Sequence, residues 1–128
     1  MAYYHSRIIK KSFEDAILSV IEALKKEGFG ILSQINMSEK LREKLNVDFR
    51  KYMILGACNP PLAYKALLLE DKIGVMLPCN VIVQEKEAGE IEITAIDPTA
   101  SMVAVGNNAL LSIAAEVSKK LKNAINAV

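Results

Sequence analysis

Two stretches near opposite ends of the chain carry one-sided apolar stripes at helical spacing. Phe13, Ala16, Ile17, Val20, Ile21 and Leu24 form the first. Leu110, Ile113, Ala114, Val117, Leu121, Ala124 and Ile125 form the second. Residues three and four apart share a helix face, so each stripe has to lie against another apolar surface. Between the stripes the pattern shortens to strand-like segments, and a sheet is the surface two such helices would cover.

The segments follow in order. Tyr3 to Ile9 reads as a first strand. Ser12 then caps the first helix, with Asp15 three residues on, and Gly28 supplies its left-handed stop. Phe29, Ile31 and Ile35 mark a half-buried second strand. Ser38 to Leu45 reads as a short polar helix with Leu41 and Leu45 turned inward. Tyr52 to Ala57 is a continuous apolar run, expected of a central strand covered on both faces. Asn59 is a good N-cap, with Pro60 at the first helical position, where a missing N–H costs nothing; Leu62 to Leu69 completes that helix. Ile73 to Glu85 reads as a long strand interrupted by Pro78, which cannot donate to a ladder and so predicts an edge, a bulge or a break. Ala88-Gly89 turns the chain into Glu90–Ile96, whose alternation (Ile91, Ile93, Ala95) marks a hairpin partner. Asp97-Pro98 ends that strand and begins a short turn or helix through Met102. Because the last two strands form a hairpin, strict doubly wound α/β is disfavoured. The expected fold is α+β: one mixed or antiparallel sheet of about five strands, with helices packed mainly on one face.

With 128 residues and a hydrophobic fraction of 52%, the chain has enough apolar material for one core without a disulfide or metal staple. No linker or repeat divides it, so residues 1–128 read as a single domain. The net charge of +1 argues against a nucleic-acid partner. Lys40, Arg42, Lys44, Arg50 and Lys51 are interleaved with Glu39, Glu43 and Asp48, as on a solvated helix face. No apolar run is long enough to span a membrane and no signal-peptide core opens the chain, so a cytoplasmic location with reduced thiols is expected.

Chemistry concentrates in two Cys-Asn pairs, Cys58-Asn59-Pro60 and Pro78-Cys79-Asn80, which hold the only cysteines. A thiol just ahead of a helix start meets peptide dipoles that favour the thiolate. On that reading Cys58 attacks and Cys79 resolves. The plainer reading makes both small buried hydrophobes. Asn59 and Asn80 offer amide donors for an anion beside the helix N–H groups, although capping alone would account for Asn59. Asp97 caps a turn and can reach the same cleft. Two cysteines and a lone His5 fall short of a zinc site, so no metal and no cofactor are expected; His5 reads as an exposed strand residue. There is no Gly-x-Ser-x-Gly elbow and no phosphate loop.

The run Gly56-Ala57-Cys58-Asn59-Pro60-Pro61-Leu62-Ala63, the run Ile73-Gly74-Val75-Met76-Leu77-Pro78-Cys79-Asn80-Val81 and the Asp97-Pro98 step resemble the bacterial and archaeal family of domains of unknown function numbered three hundred and two. The resemblance covers essentially the whole chain. It implies a small α+β fold and a homodimer. It also implies that Asn59-Pro60, Leu77-Pro78 and Asp97-Pro98 are shared while the thiols are not, which weights shape or ligand cradling over sulfur. The leading expectation is therefore a homodimeric module that binds a small polar or anionic ligand through Cys58, Asn59, Pro78, Cys79, Asn80 and Asp97. The alternatives are a redox or sulfur-carrier protein using Cys58 and Cys79, and a structural dimer module with no ligand site.

Overall fold

The computed structural model describes residues 2–128. Five strands form one sheet in the order β1-β5-β4-β3-β2, and every neighbouring pair is antiparallel. They are β1 (Tyr4–Lys10), β2 (Gly30–Asn36), β3 (Tyr52–Cys58), β4 (Cys79–Glu87) and β5 (Glu90–Ile96). The helices are α1 (Phe13–Lys26), α2 (Met37–Leu45), α3 (Pro60–Leu69), the single turn α4 (Pro98–Ser101) and α5 (Leu111–Ala127). The expected α+β class and element order are those found.

Local chemistry accounts for most of the boundaries. The Ser12 hydroxyl accepts the Asp15 N–H at 3.1 Å and starts α1. At its far end Gly28 takes φ +87°, a left-handed turn that only glycine enters without strain. The α1 and α5 stripes meet each other and the sheet in one core, where Val20, Leu24, Val81, Ile91, Ile93 and Ile125 are completely buried. A second, smaller core gathers Ala66, Ile73, Met102, Leu110 and Ala114 between α3, the segment after it and the start of α5.

Three expectations change. Ile73 to Glu85 is not one strand: Asp71–Met76 is a 3₁₀ helix, the Leu77-Pro78 peptide is cis, and β4 starts only at Cys79. The break anticipated at Pro78 is real, and Ile73 is buried in the second core instead of a ladder. Next, β2 is an edge strand and largely exposed; a bulge between Ile31 and Ser33 throws Leu32 outward, 67% exposed. Neither Leu45 nor any other α2 residue is fully buried. Last, β3 lies between β2 and β4 but is covered on one face only. Leu55 and Ala57 face the core, while Tyr52 and Ile54 on the other face stay half-buried. Both long helices pack on the same side, so none remains for the opposite face.

Candidate functional site

A cavity of about 50 Å³ lies at the end of the sheet where β3 leaves and β4 enters, on the seam between the two cores. Phe29, Ala57 and Val117 reach it from the larger core; Ile73, Met102 and Leu110 reach it from the smaller one. Cys58, Asn59, Pro78 and Cys79 border it, so four of the six residues picked from the sequence come together. The other two do not. Asn80 lies on the open face of the sheet, exposed and in another groove. Asp97 stands at the N-cap of α4, and it is the next residue, Pro98, that touches the cavity.

The register explains this division. Ala57 pairs with Cys79 and Gly56 with Asn80. Side chains alternate across a strand, so Cys79 falls on the core side with Val81, and Asn80 on the bare side. Cys58, the last residue of β3, borders the cavity where the strand turns into α3. The ladder partner of Cys79 is therefore Ala57, and Cys58 is the next residue along β3, at the same cavity.

Gly56 lets the two segments approach. A Cβ there would lie 2.8 Å from Pro78 Cγ and 2.3 Å from Ser33 Oγ. Its absence lets the Leu77-Pro78 step rest directly on β3.

The N-terminus of α3 is closed to an anion. Its first two residues, Pro60 and Pro61, have no N–H. The third, Leu62, donates to Asn59 Oδ1 at 3.4 Å, and the fourth, Ala63, donates to Asn59 O at 2.9 Å. Of the N–H groups that an ordinary helix leaves free, those of the first three helical residues are thus absent or capped. The Asn59 amide is also committed, because its Nδ2 donates to Glu27 O at 3.3 Å and ties α3 to the end of α1. Capping describes Asn59 completely.

Both cysteines are free and half-buried. Burial pushes the Cys58 thiol up, not down. Burial, with a smaller contribution from the nearby Cys58, pushes Cys79 up to about 11. With the first three helical N–H groups of α3 absent or capped and an apolar cavity behind, burial disfavours the thiolate at both cysteines. At Asp97 burial opposes ionisation, but hydrogen bonds from Thr99 and Ser118 and the Lys122 charge outweigh it and hold the carboxylate below its ordinary range. Its Oδ1 accepts from Thr99 N–H at 3.1 Å and Thr99 Oγ1 at 2.7 Å, a capping arrangement. His5 is half-buried, with Nε2 3.0 Å from Asn126 Oδ1 on α5. No group of three or more His, Cys, Asp or Glu with the spacing of a metal site occurs among the described residues. No helix among them is long and apolar enough to cross a membrane.

Sequence reasoning missed Ile73 and Met102 as cavity residues. It read Ile73 as a strand residue and Met102 as the end of a turn, and only the packing of distant segments brings them together. It also missed Gln84, the one buried residue on the bare face of β4, which accepts from Arg50 Nε at 2.8 Å and donates to Glu92 Oε1 at 3.1 Å. A polar residue within an apolar strand was the available signal.

No curated protein matches the sequence. Among solved structures, the chain is similar to the crystal structure of an uncharacterised conserved DUF302 protein from Bacillus stearothermophilus. The two are 32% identical with a TM-score of 0.92, over 99% of this chain and 98% of the other. The model of the family described as "Domain of unknown function DUF302" matches residues 5–128. With that match over nearly its whole length, the chain belongs to the DUF302 family.

Proposed function

We propose that the protein is a homodimeric binding module whose site is the cavity beside Cys58, Asn59, Pro78 and Cys79, and that it takes a small apolar ligand or the apolar end of a larger one. The lining carries this reading: apart from the committed Asn59 amide, the side chains around the cavity are hydrocarbon or sulfur. An apolar site of this size favours a short or branched alkyl group, since a polar atom there would lose its water without gaining a partner. The missing donors at the start of α3 weigh against the anionic ligand that the sequence suggested. The raised thiols weigh against sulfur chemistry. Both cysteines then serve as polarisable wall atoms.

Xenon and inorganic phosphate, titrated separately and followed by methyl and amide NMR, test this. Apolar cavities take up xenon readily. The expected result is saturable shifts at Ile73, Met102 and Ala114 with xenon, lost in Ala63→Leu, whose longer side chain occupies the space. Phosphate is expected to leave these signals unchanged. Saturable phosphate shifts around Asn59, with none from xenon, would overturn the proposal and restore the polar ligand.

A further inference from the structure

We infer that the same cavity also holds one soft monovalent cation, Cu(I), bound by the sulfur atoms of Cys58, Cys79 and Met102. This rests on the cavity proposed above as the site and goes beyond it by adding a second class of occupant.

Three segments far apart in the chain bring the sulfurs together. Cys58 ends β3, Cys79 opens β4, and Met102 follows the single turn α4. All three line the one cavity. Ladder partners in an antiparallel pair stand about 4.5–5.5 Å apart at Cα. Ala57 is the partner of Cys79, so Cys58, one residue along, starts about 6–7 Å from it. Cysteines at such a separation are near enough for their side chains to meet, and so for one ion to bridge them. Met102 is buried, and its unbranched side chain has the rotatable bonds to aim its thioether into the same space.

The donor set selects the ion. No His, Asp, Glu, Lys or Arg is among the described residues that line the cavity, and the Asn59 amide is already committed. Calcium and magnesium call for oxygen ligands, and zinc for His or thiolate ligands in greater number. Thiolate and thioether sulfur together select Cu(I), whose low coordination number suits three sulfurs. A space of about 50 Å³ admits a single ion of this kind. Each ligating thiol releases its proton to solvent, and the cation offsets one of the two thiolate charges. Cys58, half-buried at the turn into α3, gives the ion its way in.

The test uses the full chain, reduced and kept free of oxygen. Cu(I) is supplied from a chromophoric Cu(I) chelator, whose colour reports the copper withdrawn. One copper per chain is expected, with X-ray absorption showing sulfur neighbours only. Cys58→Ser and Cys79→Ser are each expected to weaken retention by about a hundredfold or more. Met102→Leu keeps the volume and is expected to weaken it by about tenfold, with one sulfur neighbour lost. Circular dichroism and xenon uptake confirm that each variant folds and keeps its cavity. A wild type that leaves all copper with the chelator overturns the inference, and xenon uptake by that same protein leaves the apolar reading of the cavity standing. Copper retained undiminished by any of the three variants, or bound at one ion per two chains, also overturns it. Copper binding by a protein that excludes xenon when copper-free refutes the apolar ligand and leaves the copper site intact.

Discussion

Replacing Gly56 with alanine tests the close approach on which the cavity depends. The new Cβ would sit 2.8 Å from Pro78 Cγ and 2.3 Å from Ser33 Oγ, where carbon atoms in contact normally stand about 3.5–4.0 Å apart. Ser33 is exposed and its hydroxyl can rotate away. Pro78 cannot, because its ring is held between Leu77 and Cys79 at the entry to β4. Overpacking of this kind costs about 1–3 kcal/mol. Against it stands a gain of roughly 0.5–1 kcal/mol from the reduced freedom of alanine in the unfolded chain. The clash wins, with a net loss of about 1–2 kcal/mol, or roughly 3–8 °C in Tm for a chain of this length. Urea and thermal melts followed by circular dichroism measure it. Ser33→Ala alone should change stability by less than about 0.5 kcal/mol. Combined with Gly56→Ala it should recover about 0.5–1 kcal/mol, the share of the clash that Ser33 carries. A Gly56→Ala protein as stable as wild type would refute the argument, as would a double variant with no recovery.

Two further perturbations follow from the same region. Cys79 in the folded protein holds its proton up to about 11, against an ordinary value of 9.0. The unfolded chain therefore loses that proton first. The contribution is fully present below pH 9 and is lost as the pH rises through 11, by roughly 2–3 kcal/mol. Melts at a series of alkaline pH values should show this decline in wild type and a flatter one in Cys79→Ala; parallel curves would show that Cys79 is not the group responsible. Asn59→Ala removes the cap of α3 and leaves Glu27 O without its donor, for a loss of about 1–2 kcal/mol in chemical denaturation. Asn59→Asp keeps the cap but not the Nδ2 donor and should fall between the two. Equal stability of Asn59→Ala and wild type would remove Asn59 from its structural role.

What could be read from the residues was whatever depends on near neighbours along the chain. Ser12 beside a stripe of period 3.6, Gly28 at a left-handed turn, Asn59 ahead of Pro60, and the alternation of Ile91, Ile93 and Ala95 each state a local preference that packing then reinforced. Pro78 could be read as an interruption for the same reason, since it lacks an N–H wherever it lies. The poor supply of donors at the start of α3 was misread, since the helix N–H groups were expected to serve an anion although Pro60-Pro61 removes two of them.

Tertiary structure decided the rest. Ile73 and Val75 have the β-branched character of a strand, yet that segment winds into a 3₁₀ helix, because burying Ile73 with Met102 and Leu110 outweighs local propensity. Strand register did most at the candidate site. Side chains alternate with a period of two, so a shift of one residue would exchange the faces of Cys79 and Asn80. The spacing between two cysteines contains no information on which register is adopted. The sequence by itself determined the order of elements, the helix ends and the family. Only the packed sheet determined that Cys79 faces an apolar cavity while Asn80 faces away, because register and burial are settled by contacts between segments far apart in the chain.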